Sequence, residues 1–163
     1  GEVGELVASG PNISPGYWRR PDETAERFGP EGYRTGDLGY ADDEGYLFLA
    51  GRKHDMLKVG ANRVGAREIE DVLHEHPAVI EAAVVGADHY LLGEVPVAFV
   101  ALRAPVEQAE TILRAFVASR LAAYKVPARV VDLPRLPTLA GSGKTDRQAL
   151  RRAAAELPLD PRS

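Results

Sequence analysis

Hydrophobic and polar positions change rhythm about a third of the way along the chain. Before residue 52 the apolar runs are short and broken by glycine and proline. Glu5 to Ala8 reads as a strand, with Leu6 and Ala8 on one face. Gly10-Pro11-Asn12 and Pro15-Gly16 read as turns, and Tyr17 and Trp18 are expected to pack on the strands. Pro21 opens a short helix over Asp22 to Phe28, with Ala25 and Phe28 facing inward and Gly29-Pro30 ending it. Leu38 to Ala41 and Tyr46 to Ala50 alternate as strands joined by the hairpin turn Asp42-Asp43-Glu44-Gly45. Asp37 follows Gly36 at a turn.

From Met56 onward strands alternate with helices. Met56 to Val59 reads as a strand and Gly60-Ala61-Asn62 as a tight turn, glycine and asparagine being the residues that best accept positive φ. A helix then starts near Ala66. Ile69, Val72, Leu73 and His76 lie on one side, and Pro77 stops it. Glu68 and Glu70 fall in its first turns, where acids suit the helix dipole. Val79 to Ala87 and Val95 to Leu102 are near-continuous apolar runs, the mark of buried strands. Glu107 to Ala123 has helical spacing, with a core stripe of Ile112, Leu113, Phe116, Val117 and Leu121. Arg129 to Leu133 is a short strand. Asp146 to Glu156 forms the last helix, with Asp146 as its N-cap, and the tail after Pro158 is expected to fray.

This pattern predicts an α+β chain: a small β-rich N-terminal piece, the edge of something larger, followed by a compact C-terminal α+β domain. The boundaries fall at residues 1–51, a hinge over 52–55, and 56–163. The hinge stretch is the cluster Arg52-Lys53-His54-Asp55, for which a solvated linker is the plainer alternative.

Composition narrows the chemistry. The 163 residues carry a net charge of -4 and 45% hydrophobic side chains, so a real core is expected, and nucleic acid is not the expected partner. There is no apolar span of membrane length and no signal peptide, which makes a cytoplasmic protein the default. With no cysteine, thiolate catalysis, disulfides and Cys-based zinc sites are excluded. The four histidines lack metal-ligand spacing; His74 and His76 are two apart on a helix and diverge.

Two local features suggest anion chemistry. Lys144 follows Gly141-Ser142-Gly143, so its ammonium can approach an anion with little steric obstruction. The GSGKT string is not a phosphate-binding P-loop, because Thr138 stands where that motif needs its first glycine and Pro134 and Pro137 interrupt any feeding strand. A flexible loop before a helix is the plainer reading. Asp37, next to Gly36, is placed to accept two hydrogen bonds from a ribose diol, and Arg52 is able to reach the same diol or a phosphate. Taken singly, each is a turn acid and a surface base.

Five segments occur together in order: GELVASGPNISPGYWRRPDETAERF, YRTGDL, GRKHDMLKVGANRVGAREIE, LAAYKVP and GSGKTDRQAL. They resemble the C-terminal motifs of the adenylate-forming superfamily, which includes acyl-CoA synthetases, peptide-synthetase adenylation domains and luciferases. The resemblance covers nearly the whole chain. It implies an AMP-forming acid–thiol ligase that activates a carboxylic acid with ATP as acyl-AMP, then transfers the acyl group to CoA or to the phosphopantetheine of an acyl or peptidyl carrier protein. On the matching positions it implies that Asp37 holds the ribose hydroxyls with Arg52 as its partner. Lys144 would stabilise the carboxylate and α-phosphate during adenylation. His54 would be the hinge residue, Arg63 a nucleotide-phosphate contact after domain rotation, and Gly60-Ala61 the lining of the thiol tunnel. Two positions depart from the family pattern: His54 stands where Asp or Lys is usual, and Ala61 where Gly is usual, which narrows the expected tunnel.

The family's ATP-phosphate loop, adenine pocket, magnesium-holding acid and acyl pocket are expected upstream of Gly1. The chain is thus expected to be a C-terminal fragment that does not adenylate alone. The alternative is a free-standing non-catalytic module that binds a carrier protein or complements a partner chain.

Overall fold

The structure is a computed structural model; it describes residues 2–159, and the side chains of Ala50 and His54 lie outside that description. The chain divides into two compact units, Gly1–His54 and Asp55–Ser163.

The first unit is a four-stranded antiparallel sheet centred on β3 (Gly32–Ala41). β1 (Gly4–Ala8) lies along one edge; β2 (Phe28–Gly29) and β4 (Leu47–Arg52) lie along the other. The YRTGD segment is therefore strand, and Asp37 sits within β3 and not at a turn. What the glycine marks is a bulge. Residues 35–37 of β3 stand opposite Leu6 alone, and Gly36 takes the positive φ of 78° that lets the extra residues loop out. Helix α1 (Pro21–Arg27) has proline at its start and two acids in its first turn. It buries no residue, so Ala25 does not face inward. Trp18 is 86% exposed and does not pack on the strands. Tyr17 does: its ring meets Phe28 edge-on and its hydroxyl bonds that of Tyr33. Among the described residues of this unit only Gly36 and Gly39 are fully buried.

The second unit holds the core. Its five-stranded sheet is built on β8 (Gly93–Leu102), which pairs along its full length with β7 (Val79–His89). On its other edge β8 pairs with β5 (Met56–Val59) at Gly93 and, in parallel, with β9 (Arg129–Asp132). β6 (Asn62–Gly65) closes a hairpin onto β5. Strand alternation divides the apolar residues between two layers. Val84, Ala98 and Val100 join Ile69 and Leu73 of α2 (Ala66–His74) and Leu113 and Val117 of α3 (Ala109–Ala118). Ala83, Val85, Val97 and Phe99 join Leu150 and Ala154 of α4 (Arg147–Ala155). Both faces are covered, which explains the near-continuous apolar runs.

Some elements differ from the sequence pattern for identifiable reasons. α3 is shorter than Glu107 to Ala123. Gln108 is left-handed at φ 54° and breaks the path into the helix. At the other end Ser119 Oγ and Arg120 Nη1 both donate to the Phe116 carbonyl and close it. Ile112 is 42% exposed and leaves the core stripe. Ile80 also points outward, at a bulge that resets the phase of β7 between Val79 and Glu81. His76 lies beyond α2 and packs edge-on against Phe116. Leu157 and Leu159 pack against the α4 layer; beyond Leu159 the fraying expected of the tail falls on residues 160–163, outside the described residues. Asp146 caps α4 as expected, accepting from the Ala149 N–H.

Candidate functional site

Within the first unit Asp37 and Arg52 are brought together by register. They are direct cross-strand partners on β3 and β4, and form an ion pair with Arg52 Nε 2.9 Å from Asp37 Oδ1. The geometry depends on irregularities on both sides. Thr35, inside the β3 bulge, donates its hydroxyl to the Leu6 carbonyl and accepts from the Asp37 N–H. A second register shift, between Leu38 and Gly39, brings Arg52 level with Asp37. The arginine side chain is 70% exposed and that of Asp37 30%. Nearby, Lys53 Nζ donates to Glu5 Oε2 at 3.0 Å. That hydrogen bond holds the Glu5 carboxyl below the usual carboxylate range.

Lys144 sits in the second unit at the mouth of a tight turn before α4. Thr138 and Thr145 form an isolated antiparallel bridge. Across it the Leu139 N–H donates to the Lys144 carbonyl at 2.8 Å and the Gly143 N–H to the Leu139 carbonyl at 3.2 Å. Gly141 and Gly143 adopt φ of 81° and 66°, which a β-carbon would strain. The Gly-Ser-Gly run is thus a braced turn and not a slack linker. Lys144 is exposed, and its ammonium makes no ion pair among the described residues.

Gly60 and Ala61 are the two central residues of the β5–β6 hairpin. Gly60 has φ 59° and Ala61 does not have positive φ, the sign pattern of a II′ turn. Asn62 begins β6 and needs no positive φ, contrary to the turn expected over all three residues. The Gly60 N–H donates to the Leu92 carbonyl at 2.7 Å, fixing this turn on the β7–β8 connection. That connection is ordered by His89, whose Nδ1 accepts from the Leu91 and Leu92 N–H groups. Ala61 is exposed at the tip. Arg63 is exposed on β6 directly opposite Lys58 of β5. His54 falls in the 3-10 turn Lys53–Asp55 that ends the first unit.

One constellation was not singled out in the sequence. Glu70 is buried at 4% exposure, although it reads as a solvated acid in the first turns of α2. It accepts from both the Val84 N–H at 2.7 Å and Arg147 Nη2 at 2.9 and 3.1 Å. Arg147 Nη1 in turn donates to the Val84 carbonyl. The signal lay in the helical phase. Ala66, Ile69, Glu70 and Leu73 share one stripe of α2, and Arg147, Leu150 and Ala154 share one of α4. Two opposite charges each on a buried stripe predict a buried pair. A second pair, Lys125 to Glu68 at 2.6 Å, gives the lysine of the AYKVP segment a structural partner.

Residues 68–144 match the family described as AMP-binding enzyme C-terminal domain. This segment belongs to that family. The homologues of the chain are CoA ligases of the adenylate-forming superfamily. The chain is 43% identical over 151 residues to a 2-succinylbenzoate–CoA ligase of Geobacillus kaustophilus, an alignment covering 93% of this chain and 31% of that one. It is 42% identical over 158 residues to the medium/long-chain-fatty-acid–CoA ligase FadD8 of Mycobacterium tuberculosis, covering 93% and 28%. The structure superposes on o-succinylbenzoate CoA synthetase from Bacillus subtilis in complex with its acyl-adenylate intermediate with a TM-score of 0.85. That match has 39% identity and covers 96% of this chain and 32% of that one. The chain therefore spans less than a third of the length of these relatives. Its mixed α and β architecture, with largely antiparallel sheets, matches the C-terminal part of adenylate-forming enzymes. No helix of the described residues is long and apolar enough to cross a membrane. No group of three or more His, Asp or Glu side chains among the described residues converges to hold a metal.

Proposed function

We propose that this chain supplies the ribose clamp, the adenylation lysine and the thiol-side turn of an AMP-forming acid–thiol ligase. In the first half-reaction a carboxylate oxygen of the acid attacks the α-phosphorus of ATP. The bond to the β-phosphate oxygen breaks, and pyrophosphate leaves. Two anions must approach for this to happen. Lys144 offers an unpaired ammonium at the approach, and its charge offsets theirs as the new P–O bond forms. Asp37 accepts from the ribose hydroxyls and Arg52 holds the carboxylate toward them. In the second half-reaction the thiolate of CoA or of a carrier-protein phosphopantetheine attacks the acyl carbon, and AMP leaves. Gly60-Ala61 lines the thiol path, and Arg63 contacts the nucleotide phosphate in that state. The segment 52–55, with His54, acts as the hinge between residues 1–51 and 56–163.

The observation that carries this reading is the braced Thr138–Thr145 turn, which presents an exposed Lys144, without an ion pair among the described residues, beside the N-terminus of a helix. A solvated loop has no need of that bracing. The ATP and CoA requirement of the family supports the reading, as do relatives named as CoA ligases. The test is carboxylate-dependent exchange of pyrophosphate into ATP by the full-length protein carrying this chain, screened with 2-succinylbenzoate and medium-chain fatty acids. Exchange with one of these, followed by thioester formation with CoA, is the expected result. A full-length protein that binds a carrier protein and exchanges with no acid would overturn it in favour of a non-catalytic module.

A further inference from the structure

β7 is an edge strand of its sheet, so half of its backbone groups point away from β8 and need other partners. At Val84 both are satisfied by side chains. Glu70 of α2 accepts the N–H at 2.7 Å, and Arg147 of α4 donates to the carbonyl at 2.9 Å. The two side chains then bond each other through Arg147 Nη2 at 2.9 and 3.1 Å. The helices belong to opposite layers of the unit, so this closed ring clamps α2 and α4 around the sheet edge.

Glu70 is buried while the Arg147 side chain keeps 32% of its surface exposed, and taking such a pair partly out of water is a poor route to stability. The desolvation of two charges roughly cancels their attraction, and apolar side chains of equal volume generally serve as well. What a charge pair provides and an apolar contact does not is a fixed direction and register: the planar guanidinium of Arg147 is held at two points, Nη2 on the Glu70 carboxylate and Nη1 on the Val84 carbonyl. The position it fixes here is the start of α4. Arg147 is its first residue, three places after Lys144. The short span between is itself held: the Asp146 N–H donates to the Pro137 carbonyl at 2.8 Å, and Asp146 caps the helix through the Ala149 N–H.

We propose that Glu70 and Arg147 are positioning residues that aim Lys144 at the reacting phosphate. This inference rests on the adenylation role given to Lys144 above. A displacement of about 1 Å at a reacting group costs on the order of 100-fold in rate. Loosening the base of its turn therefore slows the Lys144-dependent half-reaction and spares the other.

The test uses the full-length ligase and two assays: pyrophosphate exchange, and thioester formation from chemically prepared acyl-AMP. Glu70→Gln keeps the shape and removes the charge; Arg147→Lys keeps the charge and removes the fork. Both are expected to lower exchange by about 10-fold or more. Both are expected to leave transfer from acyl-AMP within about 2-fold of the parent, by the same reading of rate ratios. Equal loss in both assays, failure of both variants to fold, or exchange at the parent rate would each overturn the proposal, the first two by marking the pair as purely structural. Lys144→Ala run alongside separates the two layers of inference. If it slows exchange while the pair variants do not, only the positioning proposal falls. If it leaves exchange intact, the role of Lys144 falls and this proposal with it.

Discussion

Asp37 and Arg52 face each other across two strands, with Arg52 Nε 2.9 Å from Asp37 Oδ1. They meet because β3 and β4 each depart from regular pairing just beside them. Exposed pairs of this kind contribute about 0–1 kcal/mol to folding, which lets stability and the proposed ribose-binding role be measured apart. Replacing Asp37 by Asn is expected to shift the unfolding free energy by less than about 1 kcal/mol. In the full-length ligase it is expected to raise the KM for ATP about 10-fold or more, the loss of a hydrogen bond to a charged group. Denaturant unfolding and initial-rate kinetics on the same variant check both halves. A large stability loss with an unchanged KM would mark the pair as structural.

The contact between Glu5 and Lys53 carries a pH signature. Its hydrogen bond to Lys53 lowers the Glu5 pKa from 4.5. A carboxyl lowered on folding adds stability above its unfolded pKa and loses it as pH falls through the folded value. The stability difference between the parent and Glu5→Gln is therefore expected to be constant near neutrality and to shrink as pH drops below about 4.5. Thermal unfolding between neutral and acid pH reads this directly. A difference that stays the same at acid pH would contradict it.

Most of the second unit was legible in the sequence because its strands and helices bury whole faces, and burial imposes period. The runs Val79 to Ala87 and Val95 to Leu102 became β7 and β8, and α2 and α4 began where expected. The first unit was harder. Among its described residues only Gly36 and Gly39 are buried, so propensity and turn residues are the only signals, and the glycine of TGD, which reads as a turn, marks a bulge inside a ten-residue strand. Both ends of α3 differ from the sequence pattern, because a left-handed Gln108 sets its start and two side-chain caps on the Phe116 carbonyl set its end, and none of these shows as a pattern of apolar residues. The motif residues of the proposed site stand out in the sequence, whereas the pairing of Glu70 with Arg147 does not. Reading an acid near a helix start as a dipole partner concealed that it shares a stripe with Ile69 and Leu73.

The β5–β6 turn separates conformational from chemical demands. Gly60 sits at φ 59°, where a β-branched side chain is strained by about 1–2 kcal/mol. Gly60→Val is expected to destabilise the second unit by about that amount, measured by denaturant unfolding. Ala61, with ordinary φ and an exposed position, tolerates a larger side chain in the fold. Ala61→Leu is expected to slow thioester formation in the full-length ligase while pyrophosphate exchange continues at the parent rate. Unchanged thioester formation would remove Gly60-Ala61 from the thiol path.

The most direct test compares the two half-reactions of the full-length ligase with and without the Lys144 ammonium. If Lys144 serves the meeting of carboxylate and α-phosphate, Lys144→Ala slows acyl-AMP formation by on the order of 100-fold or more, as loss of other preorganised donors does. Transfer of the acyl group from preformed acyl-AMP to CoA then proceeds at close to the parent rate. Equal damage to both half-reactions, or to neither, would contradict the account.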